Sequence, residues 1–404
     1  MKKKTLLYGS MPPPYTGQSA MFAPVVSAFD PREVIVINIT RFKTPLPNTL
    51  WTILSTLWAF LIYRFHTVYF TPSRSKMGFV KDLPLLFLGR WTGKRMIAHL
   101  HGTNFRSFFE TGGILKPLIR YGYRNIDTGI VLLEEMRDEF IHFPNVKVGV
   151  VPNCYDQSFD LNLPSGSTPI DSAPEAVTHL EHAPFDFVPS CSPPTNAVSI
   201  DSAPHDSAQG AGTHPEQILY LSALMHSKGI LEFLDAIPLV LDKRPTANFV
   251  IAGALRADAS MGLKEITGQV QRRLNVLNER YPGRVHYMGL VTGKEKIGLL
   301  RDSAIFVMPG WHPSEALPVS VIEAMRTGTA IVATRHNFIP AIIGPQNGIL
   351  VEPHAARAIA EAVINLLEDP ERLKTIQEHN VAHAIQKYSP ARYRETIIHI
   401  IKEV

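Results

Sequence analysis

Two glutamates near the three-quarter point of the 404-residue chain, Glu315 and Glu323, have the spacing and the surroundings of a ligand site. The apolar residues 306–308 predict a buried strand that stops at a Pro-Gly turn. Glu315 then falls on a loop and Glu323 inside the next helix, whose first turn accommodates Pro318. Free amides at a helix N-terminus bind phosphates, and carboxylates accept hydrogen bonds from hydroxyls. The pattern therefore predicts a ligand that carries both groups.

The neighbouring segments decide whether the two glutamates form a site, because their spacing alone is more typical of surface carboxylates. Residues 218–229 indicate a strand that leads to a Lys-Gly turn. Residues 324–334 indicate a helix, a Gly-Thr turn and a strand, and residues 347–351 a further short element. Together with the strand and the proline turn, these segments favour the ligand site.

The same segments resemble the glycosyltransferases of family 4, retaining enzymes whose E-x7-E motif matches Glu315 and Glu323. The similarity covers nearly all of residues 216–355 and, more loosely, residues 1–155. It implies an α/β protein of the GT-B architecture, with two facing Rossmann-like domains on parallel sheets. It also implies a hexosyltransferase that moves a sugar from a nucleotide diphosphate sugar to a glycan or a lipid-linked glycan.

The resemblance gives roles to individual residues of the donor site. Glu323 would hold the ribose hydroxyls, Glu315 the sugar, and Lys228 the diphosphate, to which a lysine offers a point charge. Lys228 could instead be an exposed lysine at a helix start. Six more positions would complete the donor site, mostly through backbone groups: Gly17, Leu317, Pro318, Val319, Gly289 and Leu290.

The first half of the chain supplies the remaining candidates. His101 ends an apolar run and precedes Gly102, so we expect it at the carboxyl end of a strand, and the resemblance places it beside the donor sugar as a catalytic group. A structural histidine is the alternative. Gln18, after the first predicted strand, and Arg106 are weaker candidates for contacts with the acceptor.

One position departs from the family pattern. An arginine usually stands five residues before the lysine that meets the diphosphate, and here that position is Ala223. The change removes one charge-assisted donor from the predicted clamp. Arg256, which follows another predicted strand, is the candidate for replacing it.

Apolar runs recur in two series, each of which predicts a parallel sheet with crossover helices. The first series is residues 5–8, 33–39, 67–70, 95–100, 128–133 and 146–151, and the second is residues 217–222, 248–252, 285–288, 304–308, 330–333 and 348–351. We therefore predict an acceptor-side domain over residues 1–155 and a donor-binding domain over residues 216–387. The resemblance implies that the last helix, in residues 388–404, crosses back to the first domain.

Residues 156–215, between the two series, are rich in Pro, Ser, Ala and Asp, and the motif Ile-Asp-Ser-Ala-Pro occurs twice in them. This composition buries too little apolar surface to offset the entropy of ordering. It predicts a disordered linker, longer than the family pattern has at this point.

The composition of the chain narrows the choice of binding partners and of cellular compartment. Two cysteines cannot build a disulfide framework, and the sequence has neither a cluster with metal-ligand spacing nor an apolar run of membrane-spanning length. These features predict a cytoplasmic protein that needs no metal or other cofactor. Nucleic acid is ranked last as a partner because the sequence carries no nucleic-acid motif.

The charge distribution adds an anionic membrane surface as a candidate partner. Residues 1–155 hold 19 Lys or Arg against nine acids, whereas residues 156–215 hold eight acids and no Lys or Arg. Residues 48–64, with Trp51 and Trp58, are apolar almost all round. A buried crossover helix is the preferred interpretation of that segment. A helix lying in a membrane interface is the alternative, which would make the protein peripheral at the inner face.

Two other functions remain open on the sequence. A GT-B epimerase or phosphorylase would use similar sheets to rearrange or cleave a nucleotide sugar. A non-catalytic protein that binds sugar nucleotides is suggested by Ala223. The base, the sugar, the linkage and the oligomeric state are not encoded in any motif that we recognise.

Overall fold

The computed structural model describes residues 4–13, 16–42, 44–162 and 216–403, which form two α/β domains. Within these residues, each domain contains one six-stranded parallel sheet. The first sheet consists of β1 (Lys4–Gly9), β2 (Val34–Asn38), β3 (Phe65–Phe70), β4 (Arg95–His99), β5 (Thr128–Val131) and β6 (Lys147–Val150). The second consists of β7 (Gln217–Leu221), β8 (Asn248–Ala252), β9 (Val285–Tyr287), β10 (Ile305–Met308), β11 (Ala330–Thr334) and β12 (Gly348–Val351).

Helices connect the strands and cover both sheets. In the first part of the chain they are α1 (Gly17–Ser27), α2 (Pro45–Ile62), α3 (Lys76–Trp91), α4 (Phe105–Glu110), α5 (Lys116–Tyr123) and α6 (Ser158–Asn162). In the second part they are α7 (Ile230–Leu241), α8 (Leu263–Arg280), α9 (Gly293–Arg301), α10 (Val319–Arg326), α11 (Ala356–Glu368), α12 (Pro370–Tyr388) and α13 (Pro390–Lys402). Short 3-10 helices lie at Gly113–Leu115, Glu134–Phe140, His226–Lys228 and Ile339–Ala341. The predicted pair of parallel sheets is confirmed, and each predicted apolar run overlaps one of the strands.

The strand orders fix where a ligand can enter. The first sheet has the order β2-β1-β3-β4-β5-β6 and the second the order β12-β11-β10-β7-β8-β9. The chain therefore reverses its direction of travel across each sheet, between β1 and β3 and between β7 and β10. Crevices form at such switch points, outside the carboxyl ends of the strands.

Helix α13 belongs to the first domain by its contacts, although it follows the second domain in sequence. Tyr393, Ile397 and Ile401 are buried in a cluster with residues of the first sheet and of α1. The Tyr393 hydroxyl donates to the Met21 carbonyl oxygen at 3.1 Å, and an Arg95 Nη donates to the Ile400 carbonyl oxygen at 3.0 Å. These contacts tie the end of the chain to the first domain.

The preferred interpretation of residues 48–64 as a buried crossover helix is wrong for most of their apolar side chains. Helix α2 does connect β2 to β3 and packs against α3. The residues it buries are Thr52, Thr56 and Ala59. The threonine hydroxyls donate to the carbonyl oxygens one turn earlier, both at 2.7 Å, so their burial leaves no polar group unpaired. Most of the large apolar side chains are exposed on the opposite face, although Phe60 packs against the core.

The linker predicted over residues 156–215 begins with folded chain. Helix α6 lies within that range, and its Phe159 is fully buried. Asp160 forms an ion pair with Arg326 of α10, with Oδ1 3.0 Å from the guanidinium. The disorder predicted for the rest of the linker falls on residues outside the described part of the chain.

Candidate active site at the seam between the two sheets

The carboxyl ends of the two sheets meet at a narrow seam. The Thr103 hydroxyl, after β4, donates to the Pro313 carbonyl oxygen of the second domain at 2.9 Å. Asn153, after β6, donates through Nδ2 to the Leu317 carbonyl oxygen at 2.8 Å. Both acceptors belong to the segment between β10 and α10, here called the 309–318 loop. This loop therefore forms the floor between the domains.

The 309–318 loop ends at α10 and carries Glu315. Pro318 is the N-cap of α10, so it stands just before the first turn rather than inside it as predicted. Its missing N–H is still harmless at this place. Among the described residues, no backbone oxygen accepts from the Leu317 amide. Leu317 and Val319 thus offer N–H groups at the positive end of the helix dipole.

Glu315 and Lys228 meet across the switch point of the second sheet. Lys228 follows β7 and Glu315 follows β10, and the ammonium group forms an ion pair with Glu315 Oε2. The two side chains are 20% and 19% exposed, so a ligand can reach the pair without a rearrangement of the core. The structure thus brings two predicted site residues together at the place where doubly wound sheets bind ligands.

Gly229 explains how Lys228 comes so close to the loop. Its φ of 73° lies in the left-handed region, which glycine adopts at no steric cost. A Cβ at this position would lie 2.3 Å from the Pro309 carbonyl oxygen. Only glycine lets the 3-10 helix that ends at Lys228 pack directly on the 309–318 loop.

Glu323 lies inside α10, five residues into the helix, with a side chain that is only 5% exposed. Its Oε1 accepts from Lys296 Nζ of α9 at 2.6 Å. Burial raises the pKa of Glu323 and the ammonium group of Lys296 lowers it, with burial the larger effect. Lys296 was missed by the sequence analysis, in which it was one of many lysines, and no spacing signal relates it to Glu323.

His101 lies just beyond β4, packed on His99 with a distance of 4.0 Å between ring centroids. Neither ring nitrogen of His101 makes a hydrogen bond of normal geometry with the described residues, although both atoms are buried. Burial lowers the pKa of His101 to about 4, against a smaller opposite effect of the nearby Asn153 side chain. His101 is therefore a neutral imidazole at neutral pH, with a donor and an acceptor to offer.

Gln18 and Gly17 lie at the switch point of the first sheet. The Gln18 Nε2 donates to the Thr71 hydroxyl, at the end of β3, over 2.7 Å. Gly17 opens α1 and is exposed, and no heavy atom lies within 4 Å of where its Cβ would stand. Thr16 and Ser19 cap this helix through reciprocal hydrogen bonds. The N-terminus of α1 is thus open toward the crevice.

Arg106 is exposed and paired within its own helix. Its Nε lies 2.9 Å from Glu110 Oε1, one turn along α4, and both side chains are more than 40% exposed. The cation that the structure places in the seam is Arg74, which follows β3. Its Nη1 donates to the Thr103 carbonyl oxygen at 2.7 Å, and burial lowers its pKa. Nothing in the sequence marks Arg74 beyond its position after an apolar run.

Gly102 is the point where Arg74 and the second domain converge. A Cβ on Gly102 would lie 2.2 Å from Arg74 Nη1 and 3.1 Å from the Ser314 carbonyl oxygen. A side chain here would displace the guanidinium and push the 309–318 loop away. The His-Gly pair therefore serves close packing of the domains as well as the placement of His101.

The predicted site residues near β8 and β9 lie at the rim of the crevice. The Gly289 carbonyl oxygen accepts from the Gly253 amide at 2.6 Å, and Leu290 is 72% exposed. The Arg256 amide donates to the Leu224 carbonyl oxygen at 3.1 Å, which places Arg256 beside the end of β7 and close in the fold to Ala223. Its side chain is exposed. In the described part of the chain, no three His, Cys, Asp or Glu side chains cluster as ligands for a metal ion.

Comparison with known proteins adds an independent line of evidence. The structure superposes on HepE of Anabaena, solved in complex with UDP-glucose, with a TM-score of 0.68, 14% identity and coverage of 99% of this chain and all of that one. The fold is GT-B. The family model described as glycosyl transferases group 1 matches residues 202–382, which include the second sheet with Lys228, Glu315 and Glu323.

Two curated relatives each match about half of the chain. One is the N,N'-diacetylbacillosaminyl-diphospho-undecaprenol alpha-1,3-N-acetylgalactosaminyltransferase of Campylobacter jejuni, 31% identical over 47% of this chain and 46% of that protein. The other is the GDP-mannose-dependent monoacylated alpha-(1-6)-phosphatidylinositol monomannoside mannosyltransferase of Corynebacterium glutamicum, 26% identical over 45% of each chain. The chain thus spans about half the length of the curated relatives it matches.

Proposed function

We propose that this GT-B protein is a glycosyltransferase that moves a sugar from a nucleotide diphosphate sugar to a glycan or a lipid-linked glycan. The observation that carries the proposal is the Lys228–Glu315 ion pair at the switch point of the second sheet, beside the N-terminus of α10. A cation, a carboxylate and free amides at one crevice match the diphosphate and the hydroxyls of such a donor.

In the proposed orientation the donor lies along the second domain. Glu323 is buried near the far end of the site and accepts the two ribose hydroxyls. Lys228 and the amides at the start of α10 meet the diphosphate, and Glu315 meets the sugar. The backbone around Gly289 and Leu290 borders the base. One relative is a GDP-mannose-dependent enzyme, and HepE was solved in complex with UDP-glucose, so both bases must be tested.

We further propose the retaining mechanism of family 4. The bond between the anomeric carbon and the β-phosphate oxygen breaks, and the acceptor oxygen attacks from the same face. The acceptor's proton passes to the departing phosphate oxygen. Lys228 stabilises the charge that develops on the diphosphate. Because this ammonium and the α10 amides supply positive charge, the transfer requires no metal, and activity should persist in EDTA.

The acceptor belongs on the first domain, at the seam lined by His101, Gln18 and Arg74. Neither ring nitrogen of the neutral His101 imidazole has a hydrogen-bond partner of normal geometry among the described residues, which is the basis for assigning an acceptor hydroxyl to it. Arg74 offers a half-buried guanidinium, which suits an acceptor that carries phosphate. The name of the Campylobacter relative describes a lipid diphosphate acceptor. We therefore propose a lipid-linked acceptor and a peripheral location at the inner face of the membrane.

The test is a transfer assay with UDP- and GDP-linked hexoses and lipid-diphosphate acceptors. Mass spectrometry should show a one-hexose increase, and NMR of the product should show the anomeric configuration of the donor. Glu315→Gln should abolish most transfer, whereas Glu361→Gln, a control in an exposed helical ion pair, should not. An inverted product refutes the retaining mechanism but not the transferase.

Two outcomes would replace the proposal. Consumption of the donor without an acceptor would favour an epimerase or a phosphorylase. Tight binding of nucleotide with no transfer to any acceptor would favour the non-catalytic binding protein, an interpretation motivated by Ala223 in place of arginine.

A further inference from the structure

Helix α2 presents an unusual outer face. Six large apolar side chains at helical spacing form one stripe along its 18 residues, here called the α2 stripe. Its members are 46–79% exposed: Leu46, Leu50, Leu54, Leu57, Trp58 and Leu61. Scattered exposed leucines are ordinary, but a continuous exposed apolar face indicates a contact surface.

The neighbouring helix also exposes apolar side chains. Helix α3 packs beside α2 and exposes Met77, Val80 and Trp91 at 79%, 44% and 69%. An exposed amphipathic helix face that carries a tryptophan suits insertion into a membrane interface.

In the sequence segment that contains α2 and α3, nearly all charged residues are basic. Residues 40–96 contain nine Lys or Arg and a single acid, Asp82, which is fully buried. Cations stand at both ends of the helix. The Arg41 guanidinium lies 4.4 Å from the Trp51 ring centroid near the start, and Lys4 Nζ lies 5.9 Å from the Tyr63 ring centroid at the end.

We propose that the α2 stripe docks the protein on a bilayer that contains anionic lipid. Leucines and Trp58 would enter the interface, and Arg41, Arg64 and Lys76 would meet lipid phosphates. Burial of this face against a second copy would bring the same cations together, which like-charge repulsion disfavours. None of the described helices combines the length and the hydrophobicity needed to cross a bilayer, so docking would be peripheral.

This docking rests on the proposed function and adds to it. The first turn of α2 follows the carboxyl end of β2, on the cleft side of the sheet. Docking through α2 would therefore bring the seam close to a lipid-linked acceptor. The test uses the full chain without donor or acceptor. Co-sedimentation is measured with vesicles of equal parts phosphatidylglycerol and phosphatidylcholine, and with phosphatidylcholine alone. Failure to bind would therefore overturn docking and leave the transferase function untouched.

The variants separate the apolar and the electrostatic contributions. Leu54→Gln with Trp58→Gln should lower partitioning into anionic vesicles at least tenfold. Val276→Gln, a 61% exposed control on α8, should leave it unchanged. Arg64→Gln and Lys76→Gln should each lower it about fivefold, since one basic residue near the surface contributes about 1 kcal/mol. All five positions are exposed, so melting temperatures should stay at the parental value.

Fluorescence locates the contact. Emission of Trp58 should shift to the blue with anionic vesicles and be quenched by lipids labelled in the upper acyl chain, and Trp58→Phe should remove most of that response. Equal binding of the parent and the α2 variants would overturn the proposal. So would a dimer in sedimentation velocity that the α2 variants abolish, because the stripe would then be buried against a second copy.

Discussion

Replacing Glu323 with glutamine should weaken nucleotide binding without lowering stability. Burial raises the pKa of Glu323, so the native chain holds the carboxyl proton more tightly than the unfolded chain does. The ionised carboxylate therefore reduces native stability above its ordinary pKa range, and this penalty disappears as the pH falls. Glutamine removes the charge, and Lys296, which is 26% exposed, can then be solvated by water.

The expected loss of affinity follows from the hydrogen bonds that change. Bonds to a charged acceptor contribute about 1.5–3 kcal/mol and bonds between neutral groups about 0.5–1.5 kcal/mol. The two hydrogen bonds from the ribose hydroxyls to residue 323 would therefore contribute about 2–3 kcal/mol less binding free energy in total. This loss corresponds to about a 30- to 150-fold increase in Kd. The parent should also bind more weakly as the pH is lowered and Glu323 takes up a proton, whereas the variant should not.

Isothermal titration with UDP and GDP measures the affinity, and calorimetric unfolding measures the stability. Glu361→Gln is the matched control, with a carboxylate that is 69% exposed. A parental affinity combined with a lower melting temperature would show that Glu323 has only a structural role, and the assignment of the ribose site would be refuted.

Three further predictions test the site. Lys228→Met should lower kcat about 100- to 1000-fold in steady-state assays, the usual effect of removing one transition-state donor; activity within threefold of the parent would contradict the role. Gly229→Ala should destabilise the protein by about 2–4 kcal/mol in thermal unfolding, because of its φ of 73° and the Pro309 oxygen 2.3 Å from the new Cβ. Gly17→Ala, with no atom within 4 Å, is its control and should not change the melting temperature. Because the native pKa of His101 is about 4, the unfolded chain takes up that proton first as the pH falls. Stability should then decline between about pH 6.5 and pH 4 by up to about 3 kcal/mol, and a His101→Gln variant that declines as steeply would refute the assignment.

The sequence determined the strands and the local geometry of the donor loop. Apolar runs bounded by turn residues predicted the positions of all the strands now described, because strands buried on both faces of a parallel sheet leave a continuous apolar signal. Pro318 and Gly229 have local causes as well, a missing N–H at a helix start and a positive φ. Such signals depend on neighbours along the chain and can be recognised without the fold.

The tertiary structure alone decided which charged groups meet. Lys228 and Glu315 are 87 positions apart, and their ion pair depends on β7 and β10 being neighbours at the switch point. Arg74 lies in the seam because β3 ends beside β4, and Lys296 bonds to Glu323 because α9 packs beside α10. No periodicity along the chain carries this information.

The tertiary structure also decided which side chains of helix α2 are buried. Its composition predicts that it is apolar, but not which face turns inward. Small side chains at Thr52, Thr56 and Ala59 allow close packing on the domain, and the two hydroxyls find partners within the helix. The leucines remain outside because side-chain burial is set by the surface against which a helix packs, and hydrophobicity alone does not specify that surface.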